Sequence, residues 1–372
     1  MESIYFSMQT KVYLERGGIT KYLPLVKNYG NKAFVVTGKK SVFESGLLQK
    51  ITNICSQNGI TSVLYPEVNP EPDISDVEKG AEICREEKCD VVLGIGGGSA
   101  MDVAKAVAVL STNGGNLQNY FGEVVYQKSP LPVVAVPTTC GTGSEVTRFA
   151  VIMDKHARTK KTVSSEQILP KLSILDADTL ETLPYHLVVA TGMDAFAHSA
   201  ESFLSTKADY ISQMFARESL QLLWNFLPQV TKDRNNTYLK EKILLASLLA
   251  GFAINRTGTI IVHGMGYALT VKYHTHHGTA NALLLPYVFE YLKKNGYENE
   301  LAELEKIWVN IEHLKSFIKE LGLPSKLSDL GISVEEIEEL TELSLLGTQR
   351  AINNMKGPLG VNEYRQMLIN AL

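Results

Sequence analysis

Three short stretches carry residue types whose spacing could do metal chemistry. Asp194 and His198 stand four apart in Asp194-Ala195-Phe196-Ala197-His198. On a helix they share one face, so a carboxylate and an imidazole could chelate one ion. The plainer alternative is a helix-surface pair. His263 sits in the apolar run Thr259-Ile260-Ile261-Val262-His263-Gly264-Met265-Gly266. A buried neutral imidazole needs a partner, and a metal is one such partner. Tyr273-His274-Thr275-His276-His277-Gly278 offers three more histidines, any of which could be the fourth ligand. His277 is preferred, because Gly278 and Ala280 begin the next helical stretch and could aim it inward, whereas His274 and His276 read as loop. Imidazoles with one carboxylate and no thiolate suit Fe(II) or Zn(II), and also Mn, Co or Ni. A catalytic ion must also bind substrate, so its coordination would expand beyond these four side chains.

Two further stretches could grip phosphate. Val91-Val92-Leu93-Gly94-Ile95-Gly96-Gly97-Gly98-Ser99 reads as a strand entering a glycine turn, and Met101-Asp102-Val103-Ala104-Lys105 starts a helix. Glycines let backbone approach a ligand closely, and a helix N-terminus offers unpaired N–H groups at the positive end of its dipole. Together they suit a pyrophosphate; a tight strand–helix turn without ligand is the alternative. Val136-Pro137-Thr138-Thr139-Cys140-Gly141-Thr142-Gly143-Ser144-Glu145 also follows a strand, and its hydroxyls and amides could hold a second part of the same ligand. Ligands sit at such strand ends in open α/β sheets. Neither run is a Walker A loop, since no G-K-[ST] occurs at the needed spacing.

The elements that must position these residues fall into two halves. The first half alternates short apolar runs (Ala33–Thr37, Thr61–Tyr65, Asp90–Ile95, Val133–Val136) with helical patterns (Leu47–Ser56, Pro72–Lys88, Met101–Leu110). Strands alternating with helices predict a parallel sheet with helices on both faces. From His186 onward the patterns are almost all helical: Val188–Leu204, Ile211–Phe226, Leu239–Asn255, Ile260–Tyr273, Ala280–Lys294 and Glu300–Leu321. The boundary is expected in Asp178–Pro184, giving an α/β domain over 1–182 and an all-helical domain over 183–372. With 372 residues, two domains are the ordinary expectation.

Composition narrows the partners. Lys and Arg number 36 against 40 Asp and Glu, interspersed, for a net charge of −4, so no basic stripe points to nucleic acid. No apolar run reaches the roughly 18 residues of a membrane span. The start MESIYFSMQTK has neither a basic leader nor an apolar core of a signal. The four cysteines contain no C-x-x-C pair, which argues against a thiolate zinc site and fits reduced thiols in a cytoplasmic protein.

Taken together, the motifs resemble the iron-dependent, group III alcohol dehydrogenase family. The matching pieces are GGGSAMDVAK at Gly96–Lys105, PTTCGTGSEVT at Pro137–Thr147, GMDAFAHSAES at Gly192–Ser202, and His263 with His277 fourteen positions on, followed by glycine. The resemblance runs in register over nearly the whole chain. It implies a Rossmann-like parallel-sheet domain that binds a nicotinamide nucleotide, followed by an all-α metal domain, in a dehydroquinate synthase-like architecture. It implies Asp194, His198, His263 and His277 as metal ligands. By the same likeness Gly97, Gly98 and Ser99 face the pyrophosphate. Thr138, Thr139 and Thr142 contact phosphate, ribose or nicotinamide, and Asp102 and Lys160 approach the nicotinamide end. Ala100 and Cys140 replace the proline and alanine common in the family. Tyr267 stands where several members carry a further histidine, so the proton relay is left to Tyr267, His274 or a ribose hydroxyl.

The reaction implied is reversible hydride transfer between NAD(P)(H) and a small primary alcohol or diol, or its aldehyde. A cleft between the halves would orient both partners and exclude water. A homodimer is implied by the family likeness. A glycerol dehydrogenase-like enzyme and a dehydroquinate synthase-like lyase are the nearest alternatives. The lyase would need basic side chains around an anionic substrate, whereas the residues expected near the ligands, Phe149, Phe196, Phe252, Ile254, Met265 and Leu269, form an apolar set that suits a small alcohol or aldehyde. For the nucleotide, Gly38-Lys39-Lys40-Ser41 follows the strand Ala33–Thr37. An acidic residue near this point commonly holds the ribose 2′-hydroxyl and repels a 2′-phosphate. Glycine leaves room, the lysines supply positive charge and Ser41 can donate a hydrogen bond, so NADP(H) is expected over NAD(H).

Overall fold

Short β-branched runs closed by glycine or proline form three of the central strands of the first half of the chain, Lys32–Gly38, Val91–Gly96 and Val133–Pro137. The computed structural model describes residue 4, residues 6–357 and residues 359–372. The reading of the first eleven residues therefore falls partly outside the described residues. Two compact units are present, Met1–Leu183 and Pro184–Leu372.

In the first unit the strands are β1 (Lys11–Leu14), β2 (Lys32–Gly38), β3 (Thr61–Val68), β4 (Val91–Gly96), β5 (Gly122–Glu123), β6 (Val133–Pro137), β7 (Phe149–Asp154), β8 (Thr159–Ser164) and β9 (Leu172–Leu175). Its helices are α1 (Gly18–Tyr22), α2 (Ser41–Glu44), α3 (Leu47–Gln57), α4 (Ile74–Glu86) and α5 (Gly98–Asn113). Six strands form one sheet in the order β1-β9-β6-β4-β2-β3, and every neighbouring pair is parallel. Successive side chains of β2 enter opposite cores. Phe34 and Val36 pack with residues of α4 and α5, while Ala33 and Val35 pack with residues of α1 and α3. This is why the strand reads as a continuous apolar run: both faces of the sheet are covered. A second, three-stranded sheet in the order β5-β8-β7 contains an antiparallel hairpin of β7 and β8. The hairpin is invisible as an apolar run, because β8 is Thr-Lys-Lys-Thr-Val-Ser and only partly buried.

The second unit is helical, with α6 (Tyr185–Leu204), α7 (Tyr210–Lys232), α8 (Thr237–Thr257), α9 (Ile261–Tyr273), α10 (His277–Lys294), α11 (Glu298–Trp308), α12 (Ile311–Glu320), α13 (Ile337–Thr348) and α14 (Val361–Asn370). An α/β unit followed by a helical unit is the fold class that the sequence pattern predicts. One expected helix, Glu300–Leu321, is two. Val309 takes a left-handed φ of 74°, and Asn310 then caps α12 by accepting from the His313 N–H at 3.0 Å. The apolar periodicity runs through the break, so the pattern alone does not reveal it. Among the described residues no single helix is long and apolar enough to cross a membrane. None of the four cysteines is in a disulfide, and all are buried.

Candidate metal centre and nucleotide cradle

Helix α6 is buried on every side from Val188 to Leu204. A helix in that position can carry polar residues only where they meet partners. Asp194 is such a residue, and glycines bring its partners to it. A Cβ on Gly278, in the first turn of α10, would lie 2.0 Å from the Ala190 carbonyl oxygen and 3.0 Å from Asp194 Cβ. A Cβ on Gly266 of α9 would lie 2.1 Å from Asn281 Oδ1. The backbones of these helices can approach this closely only because no side chain intervenes.

Asp194, His263 and His277 each offer one donor atom, and these atoms lie within 4.8 Å of one another. Asp194 Oδ1 stands 3.5 Å from His263 Nε2 and 4.0 Å from His277 Nε2. The His198 ring stacks on His263 with centroids 4.2 Å apart. Burial disfavours an ionised Asp194, but His198, His263 and His277 outweigh it and hold its carboxyl far below the ordinary range. Burial likewise works against a charged His263, yet the carboxylates of Glu201 and Asp194 prevail and raise it to about 9.

Two residues that the sequence reading passed over complete this pocket. Glu201 is fully buried, accepts from the Val262 N–H at 2.8 Å and meets His263 Nδ1. With a cation bound, this contact would keep the remaining proton of His263 on Nδ1 and leave the Nε2 lone pair, which faces Asp194 and His277, to the ion. His263 Nε2 is buried and has no hydrogen-bond partner among the described residues. Asn281 is also fully buried, donates to Asp194 Oδ1 at 2.9 Å and lies 3.2 Å from His277 Nε2. The signal for both was spacing. Glu201 falls seven after Asp194 and three after His198 on one helix face, and Asn281 falls four after His277. A carboxylate, imidazoles and an orphaned ring nitrogen in a largely buried pocket fit a borderline divalent cation.

The remaining histidines of the cluster differ. His276 and His274 are exposed, and His274 ends α9 in a left-handed conformation. Tyr267 stacks its ring on His277, with centroids 4.9 Å apart. Of the apolar residues expected near the ligands, Phe149 begins β7 in the first unit, and most of the others serve as core instead of a substrate surface. Phe196 packs on Trp308 and Phe317, Phe252 packs on Phe215, and Met265 and Leu269 are wholly buried.

In the α/β unit the glycine turn and the threonine loop leave the ends of the adjacent strands β4 and β6. Gly96 takes φ 147°, and its carbonyl accepts from the Thr138 N–H at 2.9 Å. A Cβ on Gly97 would lie 3.2 Å from Thr139 Cγ2, and one on Gly98 would lie 2.8 Å from Thr142 Cγ2. The two loops therefore touch. Gly97 caps α5 with no side-chain hydrogen bond, so the first turn of this helix keeps its N–H groups for a ligand. Thr139 Oγ1 is buried and has no partner among the described residues, as a hydroxyl awaiting a ligand oxygen would be. Ser99 is partly committed, its hydroxyl donating to the Pro70 carbonyl at 2.5 Å.

The other expected nucleotide residues occupy varied positions. Gly38 ends β2, and the nearest atom to a Cβ placed there is the Val68 carbonyl oxygen at 4.0 Å. Lys39 donates to Asn69 Oδ1 at 2.8 Å on the surface, and Ser41 opens α2. Asp102 accepts from Ser144 Oγ at 2.5 Å and from the Val151 N–H at 2.9 Å. Lys160 pairs with Glu71 at 2.5 Å.

A parallel-sheet unit with a glycine-turn cradle, followed by a helical unit with a carboxylate–imidazole pocket, defines a class of two-unit proteins equipped for a nucleotide and a metal. Residues 9–177 match the family described as iron-containing alcohol dehydrogenase, and residues 188–361 match its C-terminal family. The NAD-dependent methanol dehydrogenase of Bacillus methanolicus is 30% identical over 340 residues, covering 88% of this chain and 89% of that protein. The 1,3-propanediol dehydrogenase of Citrobacter freundii is 32% identical, covering 88% of each. Among solved structures, an alcohol dehydrogenase from Oenococcus oeni superposes with a TM-score of 0.93 at 27% identity over the whole of both chains. The chain belongs to the iron-containing alcohol dehydrogenase family, whose members are oxidoreductases acting on CH–OH groups.

Proposed function

We propose that this protein exchanges hydride between a nicotinamide nucleotide and a small primary alcohol or diol, or the corresponding aldehyde, with Asp194, His198, His263 and His277 holding a divalent cation. The observation that carries this reading is the meeting of buried Asp194 and His263 with partly buried His277, with His263 Nε2 left without a hydrogen-bond partner among the described residues. A cation held there supplies the positive charge that eases loss of an alcohol proton and polarises a carbonyl. The donor set suits Fe(II), with Zn(II) second. The protein's own groups do the remaining work. Glu201 and Asn281 fix the orientations of His263 and Asp194. Gly97, Gly98 and Ser99 offer backbone N–H groups to a pyrophosphate, with Thr138, Thr139 and Thr142 beside them and Asp102 and Lys160 toward the nicotinamide. Tyr267, stacked on His277, is better placed than exposed His274 to carry the proton away. Gly38, Lys39 and Ser41 favour NADP(H) over NAD(H). A cytoplasmic homodimer completes this reading.

The test is a substrate panel of butanol, 1,3-propanediol and glycerol. It is run with both nicotinamide nucleotides on protein loaded with Fe(II) or Zn(II). Turnover of a small primary alcohol or diol that disappears on chelation is expected. Turnover unchanged after complete metal removal, or none with any alcohol or aldehyde, overturns the reading.

A further inference from the structure

Lys105 is a lysine with no exposure at all, in the middle of an Ala- and Val-rich helix. A buried ammonium is costly unless every proton is used. Here each has an acceptor: Ser144 Oγ at 2.6 Å, the Phe149 carbonyl at 2.8 Å and Thr147 Oγ1 at 3.3 Å. Asp102 Oδ1 lies 3.6 Å away and itself receives the Ser144 hydroxyl. Burial pushes the Lys105 ammonium down to about 8, with Asp102 and Glu145 opposing that fall. Nothing in the proposed hydride transfer calls for a cation here.

The acceptors are significant for where they lie. Lys105 is two turns beyond the glycine turn on α5, while Ser144 lies at the end of the threonine loop and Thr147 and Phe149 follow it in sequence. Ser144 comes directly after Gly143, whose φ of 62° turns the chain, and its N–H reaches Thr142 Oγ1 at 3.3 Å. Thr142 in turn abuts Gly98. A continuous chain of contacts thus runs from Lys105 through Ser144 and Thr142 back to the glycine turn at the head of the same helix.

We propose that Lys105 is a positioning residue for nucleotide binding: its ammonium sets the spacing between the glycine turn and the threonine loop. This rests on the reading that these two loops hold the nucleotide. A pyrophosphate bound by backbone N–H groups from one loop and hydroxyls from another needs that spacing fixed before it arrives, since a loop that must be ordered on binding costs affinity. Asp102 shares the task by bonding both Ser144 and the backbone of β7.

The experiment compares wild type, Lys105→Met and Ser144→Ala as metal-loaded full chains. It measures the nucleotide Kd by fluorescence titration, KM and kcat for nucleotide and alcohol, and metal content. Lys105→Met is expected to raise nucleotide Kd and KM about tenfold or more, in keeping with loss of hydrogen bonds to a charged group. Alcohol KM, metal content and kcat at saturating nucleotide should stay near wild type. Ser144→Ala keeps the ammonium and two of its acceptors, and should raise nucleotide Kd about threefold. A purely structural role lowers kcat through a reduced folded fraction while KM stays put, and that pattern overturns the proposal. If Lys105→Met does not fold, Ser144→Ala decides: wild-type nucleotide Kd in that variant also overturns it. Failure of the wild type to bind either nicotinamide nucleotide refutes the underlying reading of the loops instead.

Discussion

The pocket around Asp194 and the cradle around Gly97 prepare for their ligands in opposite ways. In the helical unit, side chains converge and their lone pairs are aimed by neighbours: Glu201 behind His263, Asn281 beside Asp194 and His277. In the α/β unit the groups proposed to bind are backbone N–H groups with threonine hydroxyls beside them, and the glycines leave room for a ligand to approach. One site is made by atoms that are present, the other by atoms that are absent. The first should therefore fail when atoms are removed and the second when atoms are added.

The largest effects expected follow from that contrast. His263→Ala should lose nearly all bound metal and turnover while leaving nucleotide affinity intact, because it deletes one of the few donors that meet there. Gly97→Val should do the reverse, weakening nucleotide binding with metal content unchanged, since even its Cβ meets Thr139. His276→Ala, at an exposed position, should keep both. Metal analysis and nucleotide titration on the three variants check the pattern. A His276→Ala protein without metal, with His277→Ala retaining it, would show that the wrong histidine has been placed in the pocket.

The two sites also differ in how far the sequence announces them. The proposed ligands Asp194 and His198 stand four apart on one helix, His263 is a histidine in an apolar run and His277 precedes a glycine, and glycine after a strand is equally legible. What supports them is not. Glu201 and Lys105 are not singled out by the sequence, since their burial is decided by what packs on α6 and α5 and not by their own neighbours in sequence. The alternation of strands and helices was enough to predict the parallel sheet. The β7–β8 hairpin was missed because its polar strand lacks an apolar face, and the break at Val309 was missed because apolar periodicity continues across it.

The charge left over in the α/β unit yields a pH effect of its own. Glu145 is buried, its Oε1 has no partner among the described residues, and burial raises its carboxyl from 4.5 to about 7 against the pull of Lys105. A carboxyl that protonates more readily when folded adds stability below its unfolded value. That stability is lost as pH climbs through the folded one. Glu145→Gln mimics the protonated form. It should be more stable than wild type at pH 8, by on the order of 2–3 kcal/mol, and nearly equal at pH 4.5. Thermal melts at the two pH values measure this; an equal gap at both removes Glu145 as its source.

Behind the metal pocket, Glu201→Gln keeps the shape but exchanges a carboxylate for an amide that can donate as well as accept. His263 is then no longer held to one tautomer. Metal affinity should fall about 10–100-fold, the usual cost of losing such a partner. Competition with a chelator reads this directly, with nucleotide Kd as the control. Unchanged metal affinity would mean that helix packing alone orients His263.

The smallest effect tests the cradle by adding atoms where room exists. Gly38 ends β2, next to β4 and its glycine turn, and a Cβ there meets nothing closer than 4.0 Å. Its φ is not in the left-handed region, so Gly38→Asp should fold without strain. The new carboxylate stands where a ribose 2′-hydroxyl would be held and a 2′-phosphate repelled. In the wild type, Lys39 spends its ammonium on an exposed bond to Asn69, which costs little to exchange for phosphate. Gly38→Asp should lower the ratio of kcat/KM for NADPH over NADH about tenfold, roughly 1.4 kcal/mol. Unlike Gly97→Val, it should leave overall nucleotide binding intact, because it changes which nucleotide fits and not whether the pyrophosphate can approach. A wild-type kcat/KM for NADH equal to or above that for NADPH would remove the basis for this prediction, and an unaltered ratio in Gly38→Asp would place the 2′ position elsewhere.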